Sequence, residues 1–341
     1  MALKAQKALD GGVIFVPARI SVWKSVSAPV GDKINMLRLA IEGQKSFAID
    51  LYEINSGKEV NYSIDTIRYL KKKYPDDKLY YLIGNDQVNE FHRWKEANKI
   101  AEMVDLVFYT RPGYQINQEN VKKYHMAQIN GEGIEVSSTK IRELKEFNLP
   151  PEVLFYIVEH DLYEGMVELN KMMTPHRLAH SKSVAKTAYE IAAANNLKEP
   201  LKAYIAGLFH DIGKDIPIEK QFELVKKAFP EYADQPKWAL HQFAGVVLAE
   251  TKFEIKDPSV LNAIKFHSTG NENMDQIGKI IYASDKIEPT RGFDSSDLIQ
   301  AMKNDVDKGF QTVLQANKDF LTEHGKTFEN PLTLKCIKQY L

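Results

Sequence analysis

Cysteine is nearly absent: Cys336 is the single one in 341 residues. That excludes an internal disulfide framework and a thiolate-built metal site within one chain, and it fits a reducing compartment. Long apolar runs are missing too. No run approaches the roughly 20 residues that span a bilayer. Residues 1–9 lack the apolar core and cleavage site of a signal peptide and read as a short amphipathic helix. Neither sign of charge dominates: 45 basic against 46 acidic residues give a net charge of −1. No global field gathers nucleic acid or an anionic membrane. The expectation is a cytoplasmic protein whose partners are small molecules.

What is present is ordinary for a globular chain, with 44% hydrophobic and 27% charged residues. The length exceeds one core and predicts two domains, 1–165 and 166–341. The first alternates strand and helix. Strands are expected at 13–17, 47–54, 79–83, 106–110 and 134–136, and helices at 32–41, 63–73 (with Ser63 as N-cap), 94–103 and 153–159. The run 79–83 is continuously apolar, as for a strand buried on both faces. This alternation predicts an α/β parallel sheet with ligands at the C-terminal strand ends. Gly84 and Asp86 sit at such an end. Ser137, Ser138 and Thr139 open a helix with Arg142 one turn inside, which suits a phosphate or an ordinary cap equally.

Residues 11 to about 163 resemble the nicotinate-mononucleotide adenylyltransferase family of the nucleotidyltransferase superfamily. The matching residues are Val16-Pro17, Tyr62-Ser63-Ile64-Asp65-Thr66, Gly84-Asn85-Asp86, Trp94-Lys95, Arg111-Pro112-Gly113 and Val136-Ser137-Ser138-Thr139-Lys140-Ile141-Arg142. The resemblance implies a Rossmann-like fold. It puts Ser137, Ser138, Thr139 and Arg142 on ATP phosphates, Gly84 and Asp86 near ribose, and Tyr62, Thr66 and Trp94 near a pyridine nucleotide. The family's opening strand and Gly-rich His-x-Gly-His segment have no counterpart here. No histidine precedes His92, and Ser21-Val22-Trp23-Lys24 stands where the family has Pro-Pro-His-Lys. The expectation is a domain truncated at its first strand that does not transfer adenylyl groups efficiently. A segment upstream of Met1 would make the enzyme bifunctional.

The second half reads as all helix. Thr174 caps a helix to 195, with Pro175 in its first position. On that helix His180, Val184, Ala188 and Ile191 share a stripe. The helix 200–209 delivers His210 and Asp211, and Gly213 is expected to take the chain out in a left-handed conformation. Helices 238–249, 258–267 and 278–287 place His241, His267 and Asp285 on their apolar faces. One inward histidine alone reads as a core residue. Four, with two inward carboxylates that are costly to bury unpaired, call for cations. Six ligands exceed one tetrahedral ion and suit two with a bridging carboxylate.

This half resembles the HD-domain phosphohydrolases, and most closely the YqeK type, a symmetrical diadenosine-tetraphosphate hydrolase. The motifs are Arg177-Leu178-Ala179-His180-Ser181, Phe209-His210-Asp211-Ile212-Gly213-Lys214, Trp238-Ala239-Leu240-His241, Phe266-His267-Ser268-Thr269-Gly270 and the stretch from Ala283 to Arg291. The resemblance implies an all-α domain whose His180, His210, Asp211 and Asp285 hold one metal, and whose Asp211, His241 and His267 hold a second. Iron is the implied metal, with manganese, zinc, magnesium or cobalt as substitutes. It implies a dinucleoside polyphosphate substrate cut to two ADP, with Asp211 and Lys214 catalytic and Ser268, Thr269, Lys286 and Arg291 binding substrate. ATP or a pyridine nucleotide is the implied ligand of the first domain, and an oligomer is compatible with the sequence. A nucleotide sensor, with the first domain tuning the second, is the non-enzyme alternative.

Overall fold

The computed structural model of the chain describes residues 1–18, 28–109, 115–129, 136–326 and 328–341. The expected features at 21–24 and 111–113, and strand positions 110, 134 and 135, lie outside the described residues. The chain forms two compact units, Met1–Ser137 and Ser138–Leu341.

In the first unit, α1 (Ala2–Leu9) precedes β1 (Val13–Phe15), α2 (Val30–Ile41), β2 (Phe47–Ile49), α3 (Tyr52–Asn55) and α4 (Ser63–Lys73). Then come β3 (Tyr80–Gly84), α5 (Asn85–Glu90), α6 (Ala97–Met103), β4 (Asp105–Tyr109), α7 (Gln118–Lys123) and β5 (Ala127–Gln128). Every strand pairing is parallel, as the alternation predicts, but the described strands make two sheets, β1-β2 and β3-β4-β5.

Some details depart from the sequence pattern. The run 79–83 is not buried on both faces: among the described residues β3 is an edge strand, with Tyr80 and Leu82 exposed on one face and Ile83 buried on the other. It is β4 that carries the doubly buried run Leu106–Tyr109. The strand at 47 ends at Ile49, because Asp50 Oδ1 accepts from Tyr52 N at 2.9 Å and starts α3. Ser63 is the first residue of α4 rather than its cap, which is Tyr62. Trp94 lies outside any helix, with extended φ/ψ. The core gathers Ile64, Ile67, Val88, Phe91, Ile100, Leu106 and Phe108.

The second unit is helical: α8 (Ser138–Arg142), α9 (Pro151–Glu159), α10 (Tyr163–Met172), α11 (Pro175–Ala194), α12 (Leu201–Phe209) and α13 (Ile218–Ala228). Next are α14 (Lys237–Phe253), α15 (Pro258–Phe266), α16 (Gln276–Ile287), α17 (Ser296–Asn304), α18 (Val306–Glu323) and α19 (Pro331–Tyr340). The segment 138–165 packs in this unit. Gly165 lies inside α10, where a Cβ would come within 2.6 Å of the Glu143 carbonyl carbon and of Leu144. A glycine that reads as a border in sequence is here a close contact between α10 and the end of α8.

The frame of the unit is α11 against α12. The apolar face of α11 is buried through Val184, Ala185, Ala188, Ile191 and Ala192, and α12 is buried from Ala203 through Phe209. Full burial of each large aliphatic or aromatic side chain contributes about 1.5–3 kcal/mol. The two helices approach closely because Gly207 has no side chain; a Cβ there would lie 2.6 Å from Ala185 Cα. Caps set the starts. Thr174 Oγ1 accepts from Arg177 N, Asp257 accepts from Ser259 N and Val260 N, and Asp275 accepts from Gly278 N. Each cap fixes the rotation at which its helix presents a ligand-type residue.

Candidate metal centre

Five helices bring six residues together. His180 lies in α11, His210 and Asp211 at the end of α12, His241 in the first turn of α14, His267 at the end of α15, and Asp285 in the last turn of α16. All but Asp285 are buried, and the Asp285 side chain is 13% exposed. Two groups among them can hold an ion, His180-His210-Asp285 and His210-Asp211-His267, with donor atoms of each group within 4.8 Å of one another.

Gly213 secures this geometry by a different route from the left-handed exit its position suggests. Its φ is not positive. A Cβ there would meet His241 O at 2.4 Å and Gly245 N at 2.8 Å, so the glycine lets the 210–213 turn sit directly on the α14 backbone.

The outer nitrogens of all four imidazoles are engaged. Nδ1 meets Gly207 O in His210 (2.7 Å), Trp238 O in His241 (2.8 Å), Ile264 O in His267 (2.8 Å) and Glu288 Oε1 in His180 (3.0 Å). A carbonyl only accepts, so Nδ1 carries a proton in His210, His241 and His267, and the Nε2 of the neutral His241 and His267 rings is a bare lone pair turned inward. Those inner nitrogens converge on carboxylate oxygens. His180 Nε2 is 3.1 Å from Asp285 Oδ1, and His210 Nε2 is 3.6 Å from the same oxygen and 3.8 Å from Asp211 Oδ2. His241 Nε2 and His267 Nε2 each lie 3.4 Å from Asp211 Oδ1 and 3.1 Å from one another.

Protonation does not relieve this crowding on the His241–His267 side. Burial pushes the His267 imidazole down to about 4, with the neighbouring His210 and His241 acting in the same direction against Asp211. Burial also lowers His241, with Lys214 adding to it. His210 Nε2 is buried with no hydrogen-bond partner among the described residues. Burial alone would raise both carboxyls, but the surrounding cations and imidazoles outweigh it. Asp211 is held well below its ordinary range, chiefly by His210, and Asp285 likewise, chiefly by Lys286. Lone pairs and ionised oxygens packed this closely fit a divalent cation, and the nitrogen–oxygen donor set suits iron, manganese or zinc.

Cationic side chains surround the cluster. Arg177 Nη1 donates to Asp211 Oδ2 at 2.6 Å and Arg177 Nε to Asp215 Oδ1 at 3.0 Å. Arg291 Nη2 donates to Asp285 Oδ1 at 2.6 Å. Lys214 Nζ lies 3.3 and 3.4 Å from the two His241 ring nitrogens, and burial lowers its pKa. Lys286 Nζ is tied to His267 O (3.1 Å) and Asp285 Oδ2 (3.3 Å). Thr269 is fully buried. Its Oγ1 accepts from Gln242 Nε2 and donates to Gly270 O, so the hydroxyl is committed inside the wall. Ser268 is only partly buried, and its backbone N donates to Gln242 Oε1.

Asp215 and Gln242 belong to the site without standing out in sequence, and Arg177 and Glu288 lie in motifs that gave them no role of their own. Arg177 lies three residues before His180, and Glu288 three after Asp285, so helical spacing was the available signal.

The expected residues of the first domain fall in both units. Gly84 ends β3, and Asp86 Oδ2 accepts from Gln87 Nε2 at 2.8 Å. The Trp94 ring packs on Phe91 and Tyr81, at centroid distances of 5.0 and 6.0 Å. Ser137 ends the first unit, while Ser138, Thr139 and Arg142 lie in α8 of the second, where Arg142 Nη2 donates to Thr139 Oγ1 at 3.2 Å.

Comparison with known proteins matches both halves. A family model described as HD domain covers residues 177–290, and one described as cytidylyltransferase-like covers residues 1–144. A Mycoplasma pneumoniae protein named "Probable nicotinate-nucleotide adenylyltransferase/Ap4A hydrolase" is 29% identical over 92% of this chain and 91% of its own. A Listeria monocytogenes protein named "Probable nicotinate-nucleotide adenylyltransferase" is 36% identical over 48% of this chain and 87% of its own. A crystal structure from Clostridium acetobutylicum, described as a predicted HD superfamily hydrolase involved in NAD metabolism, is 34% identical. It covers 50% of this chain and 92% of that one, with a TM-score of 0.46.

Proposed function

The chain belongs to the nicotinate-nucleotide adenylyltransferase family and joins that domain to an HD domain, a metal-dependent phosphohydrolase unit; on this premise we propose that it hydrolyses diadenosine tetraphosphate symmetrically, to two ADP, at a two-ion site. The observation that carries the reading is the convergence of four histidine Nε2 atoms on Asp211 and Asp285. His180, His210 and Asp285 would hold one ion and His241 and His267 the other. Asp211 spans the two, with Oδ1 toward the second pair and Oδ2 toward His210. Iron is the metal we assign, and manganese is the natural substitute.

Such ions, when bound, acidify water and neutralise charge developing on an attacked phosphate. The protein's own groups do the rest. Nδ1 donation orients each imidazole and fixes its tautomer. Arg177, on oxygens of Asp211 and Asp215, and Arg291, on one oxygen of Asp285, flank the centre and present further N–H groups to phosphate oxygens, which guanidinium grips bidentately. Lys214, not bonded to any carboxylate among the described residues, supplies a mobile cation to the phosphate in transit. Ser268 is the remaining donor on the α15 side. Cleavage between the inner phosphates requires that both adenosine ends be accommodated.

The names of the two-domain relatives favour a second activity, adenylylation of nicotinate mononucleotide. We assign the hydrolase to the second domain and nucleotide binding to the first. Metal analysis of the purified protein, with product chromatography on several dinucleoside polyphosphates, tests the first assignment. Asymmetric products, or full activity without metal, would sink it. A robust dinucleotide-forming rate would overturn the second.

A further inference from the structure

The four imidazoles are not backed alike. His210, His241 and His267 each give Nδ1–H to a neutral carbonyl three residues earlier in the chain, Gly207, Trp238 and Ile264. For His210 and His267 that carbonyl lies in the last turn of a helix, where backbone acceptors are left over. His180 sits well inside α11 and turns instead to the Glu288 carboxylate, 3.0 Å away and contributed from beyond the end of α16. Glu288 is 1% exposed. It is also pinned, with Oε2 accepting from Thr290 N and Oε1 from Thr290 Oγ1, both at 2.7 Å.

We infer that Glu288 is a positioning residue that makes the His180–Asp285 end of the centre its tighter metal subsite. An ionised acceptor draws the Nδ1 proton more strongly than a carbonyl does, leaving Nε2 the more basic ligand. The same end carries Asp285 Oδ1 against two imidazoles, His180 and His210. The other end has two carbonyl-backed imidazoles and one oxygen of Asp211; cations meet both carboxylates, Arg177 on Asp211 and Arg291 with Lys286 on Asp285, so the backing of the imidazoles is what distinguishes the ends. The difference in affinity therefore follows from one buried carboxylate placed behind one histidine. This rests on the two-ion reading, and the test separates the two.

The test is titration of the chelator-stripped full chain with Mn2+ alone, followed by calorimetry, with Co2+ absorption as a second readout. The wild-type protein should fill two subsites in order. Glu288→Gln, which keeps size and removes charge, should weaken the first ion about 10–100-fold and leave the second unchanged. Thr290→Val, which only loosens Glu288, should weaken the same ion less. His267→Ala should abolish the second ion and leave the first still sensitive to Glu288. Equal weakening of both ions in Glu288→Gln, or weakening of the second alone, overturns the inference; so does unchanged binding in a variant with native circular dichroism. If Glu288→Gln does not fold, Thr290→Val decides. If the wild-type protein binds a single ion, the two-ion reading fails, and loss of that ion's affinity in Glu288→Gln still upholds the role of Glu288.

Discussion

His241 Nε2 and His267 Nε2 face each other at 3.1 Å with no proton between them, because each ring spends its Nδ1–H on a carbonyl of its own helix. Such a contact is repulsive until a cation joins it. Stripping metal should therefore lower the thermal midpoint, and adding Mn2+ or Fe2+ should restore it, as ligand linkage requires. Scanning calorimetry of the stripped and reloaded protein checks this. An unchanged midpoint would contradict a structural role for the ion.

Asp211→Ala removes the one carboxylate that faces both His210 and the His241–His267 pair. Metal content should fall along with activity, and by more than when a residue that only supports a ligand is replaced. Inductively coupled plasma analysis beside a hydrolysis assay reads both. Activity persisting in metal-free Asp211→Ala protein rules out metal-dependent hydrolysis.

Lys214→Ala should leave both ions in place, since Lys214 lies over a ligand without being one. Its kcat should drop about 10²-fold, the usual scale for losing one preorganised charge at a transition state. Thr269→Val should do the reverse, lowering stability by about 1–3 kcal/mol through its stranded Gln242 partner and sparing KM. A raised KM in Thr269→Val would give that hydroxyl to the substrate after all.

Gly213→Ala puts a methyl group against two backbone atoms, His241 O and Gly245 N, neither of which can swing aside. The expected loss is about 1–3 kcal/mol, as for overpacking generally, with weaker metal binding because His241 shifts. Chemical denaturation should show it, and a neutral result would mean that the turn does not seat on α14.

Asp215 links Thr174 to Arg177: its Oδ2 accepts from Thr174 N and Oγ1, and its Oδ1 from Arg177 Nε. Burial alone would raise its carboxyl, but the Thr174 and Arg177 bonds outweigh it and hold the group below its usual range. A depressed folded-state pKa contributes stability that is fully present above the unfolded value, near 3.9. That contribution is lost as pH falls through the folded one. In the stripped protein, Asp215→Asn should be less stable than wild type at pH 7, and the gap should close as pH drops below about 4. Thermal midpoints across that range test it.

Spacing alone determined a good deal. The 3.6-residue period put His180, His241, His267 and Asp285 on inward faces, the end of α12 delivered His210 and Asp211, and the strand–helix alternation gave the parallel pairing of the first unit. The apolar run 79–83 reads as a strand buried on both faces, yet that burial belongs to β4, since an apolar run does not record what packs against its strand. Gly165 and Gly213 were legible as glycines but not as contacts. What a missing Cβ makes room for depends on which backbone arrives from elsewhere, here α8 and α14. The polar partners were the least visible. Arg177 meets Asp211 across 34 residues and Glu288 meets His180 across 108, and no local pattern encodes either pairing. The sequence by itself determined which side chains face inward, because that follows from the period of the helix. Only the tertiary structure decided which atom of each faces which, because hydrogen-bond partners are chosen by packing among helices far apart in the chain.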